Sequence, residues 1–564
     1  MIRYEVSYSH PHRHSISFKA TFPSSGFQQI QLQLPSWRPG RYELGNFAKN
    51  ILHWKAFASN GEQLSYRKIT KDLWEVDTNG SPVVHITYDY YATDLNAGSS
   101  YLDEEMLYIN PINCFFFDPL QTNQKHHVTF HLPNEYQLAC GLHKESNHVL
   151  LAENFDELAD APLIASAKLE HVSYVCNNIT FHIWMKGDVI PDKEKLARDF
   201  QLFTQAHFDI FGDIPCNEYH FLFHFPSHFI RHGVEHHNST VIAMGPATEF
   251  VSGSGYADLL AISCHELFHT WNVKSIRPIE MMPYDFTKEN YSELGYVAEG
   301  ITTYYGDYLL YRCGLMNEDG WQNVLAEAIQ EHMLNQGRFN LSVAQSSIET
   351  WLDGYTPGIP WRKVSIYNEG CLIAYIADAL IKKFTNNQKS LDDVMRLMYE
   401  RFGKTGIGYS SADYKFILEE VGGFSFDEIF AKLYNGTSDY LPYIIQALEI
   451  NGYQLMESPS PKYSESNLGM SIDETGGKNT ISFILKDGPA DQAGLWYSDE
   501  IISINGIHAY KNMQSLLRLG GSELTVEFSR KNKTKKAVLL NSQEVFMKRY
   551  FVAKKSSITS STEG

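Results

Sequence analysis

The sequence offers no cysteine pairs to staple it. Its seven cysteines, Cys114, Cys140, Cys176, Cys216, Cys264, Cys313 and Cys371, are scattered, odd in number and never spaced C-x-x-C. That argues against a disulfide framework and a cysteine-ligated metal site, and points to a reducing compartment. No run of about 18 apolar residues occurs, so no membrane-spanning helix is expected. The start, Met1-Ile2-Arg3-Tyr4-Glu5-Val6, lacks the apolar stretch of a secretory signal, and a cytoplasmic location is the expectation. Basic charge is in deficit, with 47 Lys and Arg against 66 Asp and Glu and a formal net charge of −19. Such a surface disfavours nucleic acid and anionic membranes as partners.

What remains is a large folded chain. Its 564 residues are 43% hydrophobic and 20% charged, enough for three or four domains with substantial cores. Residues 1–170 read as β-rich, with alternating segments such as Ile16-Phe18-Ala20, Ile30-Leu32-Leu34 and Val84-Ile86-Tyr88-Tyr90 between turn residues. An antiparallel saddle or sandwich is the expected architecture. The aromatic stretch 34–42, with its Pro39-Gly40 turn, is expected to pack a domain interface; the stretch 94–103 also stands out. Residues 171–445 change to strands followed by helices and read as a mainly helical catalytic domain. Pro459, Pro461, Gly452 and several serines mark 446–462 as a linker. A small domain follows at 463–545, and 546–564 reads as a polar tail. The fold class is therefore multidomain α+β.

The chemistry gathers at His265-Glu266-Leu267-Phe268-His269, an H-E-x-x-H pattern behind the apolar run Ala257, Leu259, Leu260, Ala261 and Ile262. On a helix the two histidines are one turn apart and can share a zinc ion. Glu266 lies about 100° round, placed to act as a base rather than a ligand. A third ligand is expected from the apolar helix opening at Tyr296-Val297-Ala298-Glu299-Gly300. Glu299 is the reading, because a buried Glu there needs a cationic partner. Glu280, Glu289 and Glu293 are alternatives by spacing, in what reads as a loop. Three protein ligands leave one position open, the pattern of a catalytic zinc, one per chain. Upstream, Gly233 and Glu235 sit on a segment that reads as a substrate-binding edge strand. His224, His228, His232 and His236 recur every four residues. Pro226, Gly233 and the alternation Phe221-Phe223-Phe225 argue for strand, so no second metal site is expected there. Lys274 and Arg277 are read as bracing the loop after the zinc helix.

Several stretches together resemble the glycyl aminopeptidase family of zinc peptidases. They are L-P-x-W-x-P-G at 34–40, G-x-E-H at 233–236, H-E-x-x-H-x-W-N-x-K at 265–274 and E-G-x-T-x-Y-Y at 299–305. The segment Gly488-Pro489-Ala490-Asp491-Gln492-Ala493-Gly494-Leu495, with the loop Asn467-Leu468-Gly469-Met470, is similar to PDZ domains. The resemblance implies a thermolysin-like catalytic domain of gluzincin type, related to the alanyl aminopeptidase and leukotriene hydrolase group. It implies His265, His269 and Glu299 as zinc ligands and Glu266 as general base. Glu235 matches the glutamate that binds the substrate's α-amine, and Tyr367 with Gly370 matches the Y-x-x-G tyrosine that stabilises the tetrahedral intermediate. Two departures exist: Gly233-Val234-Glu235-His236 is one residue shorter than the relatives' G-x-M-E-N, and the span from His269 to Glu299 is longer. The expected function is removal of a small residue, Gly or Ala, from peptides with a free N-terminus. A PDZ groove taking a peptide C-terminus is expected alongside. An endopeptidase and a non-catalytic scaffold are the competing readings.

Overall fold

The structure is a computed structural model describing residues 1–251, 254–354, 356, 358–541 and 544–555. The chain divides into two units, one built from Met1–Trp321 and Gln336–Ala447, the other from Gln322–Asn335 and the chain from Leu448 onward.

The first unit begins with a seven-stranded sheet. In spatial order its strands are His143–Ser146, Val149–Ala152, His126–Phe130, Ile2–Ser7, Ser15–Pro23, Val83–Tyr91 and Ile51–Ala58. Alternation drives it: in Ser15–Pro23 the residues Ile16, Phe18, Ala20 and Phe22 point inward to a core shared with Tyr4, Tyr88 and Phe115. The sheet is not wholly antiparallel, because Ile2–Ser7 pairs parallel with His126–Phe130. The long excursion between these strands lets the chain return in the same direction, which a hairpin cannot do.

A five-stranded sheet starts the catalytic part, in the order Glu170–Cys176, Ile179–Gly187, Glu218–Phe225, Ser239–Gly245, Ile230–Glu235. The helix Lys193–Phe211 is the crossover that allows Ile179–Gly187 and Glu218–Phe225 to run parallel. Ile230–Glu235 lies at the edge, antiparallel to Ser239–Gly245, with Gly233 opposite Ile242 and Glu235 opposite Thr240. His224 and His232 therefore stand on different strands and share no helix face. Ala97, Tyr108 and Ala139 meet Leu222, Val234 and Val241 in one apolar cluster that joins the β-rich part to this sheet. Helices follow, among them Ser254–Phe268, Thr302–Arg312, Val343–Asp353 and Ile366–Phe384. Among the described residues no helix is long and apolar enough to cross a membrane.

The second unit surrounds a core of Leu468, Met470, Ile481, Leu495, Ile504, Leu517, Val526 and Phe528. Met470–Asp473 is an edge of its main sheet, and Met513–Leu519 is its longest helix after residue 462. Two expectations change here. Tyr453–Pro459, inside the expected linker, is a strand paired antiparallel with Lys548–Lys554, inside the expected tail. Pro459 sits at the strand's end, where a missing N–H costs little. Gln330 ties this ribbon to the unit's helical segment, donating to the Lys548 carbonyl at 3.1 Å and accepting from the Tyr550 amide at 3.2 Å. The rest of the tail, 556–564, lies outside the described residues.

One buried ion pair braces the catalytic part to the β-rich part. Lys274 Nζ lies 2.9 Å from Asp160 Oδ1, with its side chain only 3% exposed. The same carboxylate meets His236 Nδ1 at 3.0 Å and accepts from the His237 amide at 2.9 Å. Arg277 donates to the Lys274 carbonyl at 3.1 Å and lies over the Tyr284 ring at 3.8 Å, so both cations have partners within this part of the chain. Burial pushes the Asp160 carboxyl up, but Lys274 and His236 outweigh it and hold it well below the ordinary carboxylate range. A depressed folded pKa contributes stability that is present above the unfolded value of about 3.9 and is lost as pH falls below it. Asp160→Asn leaves Lys274 buried and unpaired, and is expected to lower unfolding free energy by about 3–5 kcal/mol at pH 7. In urea titrations the gap to wild type should narrow once the pH drops below about 4.

Candidate metal centre

The helix Ser254–Phe268 carries the H-E-x-x-H pattern, and its last turn extends through His269, whose amide donates to the His265 carbonyl at 3.3 Å. The helix is packed on both sides. Trp271, fully buried, stacks on Phe211 at 4.7 Å and donates from its indole to the Asp213 carbonyl. Asn272 turns the chain and donates to the Val297 carbonyl at 2.8 Å, which fixes the loop against the segment bearing Glu299. That segment, Tyr296–Ile301, is a π-helical turn before the α-helix Thr302–Arg312. Such wide turns re-aim a side chain within an otherwise regular helix.

These elements bring His265, His269 and Glu299 together. The two Nε2 atoms are 3.0 Å apart, and Glu299 Oε2 lies 3.9 Å from His265 Nε2 and 3.4 Å from His269 Nε2. Tetrahedral zinc with bonds of about 2.0–2.2 Å places neighbouring donor atoms about 3.3–3.6 Å apart, so the triad fits the ion. His269 Nδ1 donates to the Asn272 carbonyl at 2.7 Å, which in the neutral ring leaves Nε2 as the lone-pair nitrogen. Tyr42, from the β-rich part, donates to Glu299 Oε1 at 2.8 Å and leaves Oε2 facing the imidazoles. Of the alternative ligands, Glu280 and Glu293 are exposed and Glu289 is only half-buried.

Two more carboxylates crowd the triad. Glu235 and Glu266 reach His269 with donor atoms all within 4.8 Å of one another. Both are buried, and Glu235 Oε1 and Glu266 Oε2 have no hydrogen-bond partner among the described residues. Burial pushes Glu266 up, and the Glu235 and Glu299 charges push further, so its carboxyl sits well above the ordinary range. Burial disfavours a charged His269 as well, but the Glu299, Glu235 and Glu266 carboxylates overcome it and hold the ring up at about 10. His265 goes the other way, to about 3, through burial and the neighbouring His269. The pocket is built for positive charge.

Glycines set the close approaches. A Cβ on Gly233 would collide with Glu266 Oε1, so the edge strand touches the proposed base directly. Gly40, at φ +76°, meets Glu235 in the same way, and an added Cβ there would run into Oε2. Gly300 and Gly370 face each other where the Glu299 segment crosses the helix Ile366–Phe384, and a Cβ on Gly300 would strike the Gly370 Cα. That crossing brings Tyr367 to the site. Tyr367 lines a cavity of about 300 Å³ with Ala261, Ile262, His265, Glu266, Thr303 and Gly306.

A family model described as "Peptidase M61 N-terminal domain" matches residues 3–167, and one described as "M61 glycyl aminopeptidase" matches residues 258–373. The second spans His265, Glu266, His269, Glu299 and Tyr367. The chain thus matches both M61 models, over separate stretches. It is a metallopeptidase. A solved aminopeptidase N family protein from Idiomarina loihiensis shares the fold, at a TM-score of 0.90 and 24% identity over 99% of this chain and 98% of that one. An M1 zinc metallopeptidase from Deinococcus radiodurans matches at a TM-score of 0.45 and 14% identity over 74% of this chain and 90% of that one. No curated protein matches.

In this chain, sequence reasoning missed Tyr42 and Gly40 as site residues. Both lie in the 34–42 stretch, where the bulky aromatics implied interface packing; Trp37 does pack there, against Trp351 and Tyr284. A second cluster, His182, Glu218 and His220, also has metal-like spacing. Trp184 Nε1 donates to His220 Nδ1 at 3.2 Å, which puts the neutral ring's proton on Nε2, 3.2 Å from Glu218 Oε1. That protonated nitrogen is not available as a ligand. For the metal centre, Gly233→Ala forces Glu266 aside and is expected to cut kcat/KM at least about 100-fold. Metal content by atomic absorption should stay at the wild-type level.

Proposed function

We propose that this metallopeptidase is a zinc aminopeptidase that removes a small residue, Gly or Ala, from peptides with a free N-terminus. The observation that carries the reading is Glu235, a buried carboxylate with one oxygen unpartnered among the described residues, grouped with Glu266 and His269 so that their donor atoms lie within 4.8 Å of one another. A buried charge needs a partner, and an α-ammonium supplies one. An ammonium held there would restrict cleavage to the first residue. The Gly40 backbone already stands at contact distance from Glu235, which favours a first residue with little or no side chain. One zinc per chain suits the open triad of His265, His269 and Glu299.

When bound, zinc acidifies a water and polarises the scissile carbonyl. Glu266 accepts the proton of the attacking water and returns it to the leaving amine. The Tyr367 hydroxyl donates to the oxyanion that forms on the carbonyl, a contact worth about 3 kcal/mol in such sites. Glu235 keeps the substrate's α-ammonium in place throughout, and Gly233 lets the edge strand lie close along the peptide. The PDZ-like C-terminal unit fits a second role, since its edge strand Met470–Asp473 offers a place for a peptide C-terminus to add as a strand. The expected working environment is the cytoplasm.

Aminoacyl amides with free and acetylated N-termini test the reading. Glycyl and alanyl amides should be hydrolysed and their acetylated forms should resist; internal cleavage of blocked peptides would instead make the enzyme an endopeptidase. Glu266→Gln should lower kcat by about 10²–10⁴-fold with zinc retained. Glu235→Gln should erase much of the discrimination between free and acetylated substrates.

A further inference from the structure

Among the described residues, Tyr42 is the tyrosine of the β-rich part that hydrogen-bonds to the triad, and its position is over-determined. The Ser36 and Trp37 amides both donate to the Phe286 carbonyl, at 2.8 and 3.2 Å, which fastens the loop to the chain after the zinc helix. The Gly45 amide donates back to the Ser36 carbonyl at 2.8 Å and closes the loop on itself. Within it, the Trp37 indole donates to the Arg41 carbonyl, and Gly40 takes the left-handed turn that brings Tyr42 round. The ring of Tyr42 then packs edge-on against Trp351 at 6.1 Å, and the residue is only 7% exposed.

Its target needs such a partner. Glu299 projects from a π-helical turn, and a carboxylate can rotate to offer a metal either oxygen or both. The Tyr42 hydroxyl holds Oε1 at 2.8 Å, and Oε2 is the oxygen 3.4 Å from His269 Nε2. Partners of this kind orient ligands and typically change metal affinity about 10–100-fold when removed. We propose that Tyr42 is a positioning residue of the metal centre, a hydroxyl supplied by the N-terminal β-rich part that fixes Glu299 with one oxygen toward the ion. The β-rich part is then a component of the metal site and not only a cover for it. This rests on the reading of Glu299 as a ligand.

The test uses the full-length protein and three variants, Tyr42→Phe, Glu299→Ala and Trp351→Phe. Zinc affinity is measured by competition with a chromophoric chelator, and near-ultraviolet circular dichroism of the metal-free proteins reports the fold. Tyr42→Phe should bind zinc about 10–100-fold more weakly, with KM for a glycyl amide unchanged at saturating zinc. Glu299→Ala should lose more. Trp351→Phe loosens the same aromatic packing but keeps the hydroxyl, and should bind zinc as the wild type does. Unchanged affinity in Tyr42→Phe beside a collapse in Glu299→Ala overturns the role of Tyr42. Unchanged affinity in both overturns the ligand assignment beneath it. Equal loss in Tyr42→Phe and Trp351→Phe assigns the effect to loop packing and also overturns the proposal.

Discussion

Three carboxylates, Glu235, Glu266 and Glu299, are buried within reach of two imidazoles, and this concentration of negative charge is the constraint the catalytic part is built around. Removing charge from water is costly unless opposite charge is close. Burial pushes the Glu266 carboxyl up, and the three carboxylates hold His269 up against its burial. A divalent cation in the triad and an ammonium at Glu235 would supply the opposite charge. Each carboxylate then has its own partner and its own role. In the proposed mechanism Glu299 ligates, Glu266 moves a proton, and Glu235 holds the substrate's end.

Holding that charge in place takes more than the zinc helix. The approach of the edge strand depends on Gly233, the crossing of the Glu299 and Tyr367 helices on Gly300 and Gly370, and the roof over Glu235 on Gly40. Close backbone contact also excludes water and keeps the local dielectric low, which strengthens each electrostatic interaction inside. The loop that contributes Gly40 and Tyr42 is anchored through Trp37 and the Phe286 carbonyl, and the Asp160–Lys274 pair fastens the chain nearby. The N-terminal β-rich part and the catalytic part therefore form one compact unit.

Much of this can be read from residues alone, because local patterns carry it. The alternation of Ile16, Phe18 and Ala20 makes a strand, and the one-turn spacing of His265 and His269 makes a shared helix face. Long-range geometry is harder. Nothing local to Tyr42 says that its hydroxyl meets a carboxylate 257 positions away, since only the fold brings them together. The strand Tyr453–Pro459 is hidden for a similar reason: its composition is that of a linker, and it is ordered by a partner, Lys548–Lys554, that lies far along the chain. The parallel pairing of Ile2–Ser7 with His126–Phe130 is another product of distant chain return. The periodic histidines from His224 to His236 show the converse, a regular spacing without a helix. There proline, glycine and alternating phenylalanines reveal strand, and His224 and His232 indeed lie on separate strands.

Anomalous diffraction at the zinc edge, from crystals of protein purified without added chelator, tests the central claim most directly. The account predicts one peak per chain, bonded at about 2.0–2.2 Å to Nε2 of His265 and His269 and to a Glu299 carboxylate oxygen. No peak there, or a peak at His182, Glu218 and His220 instead, would contradict it.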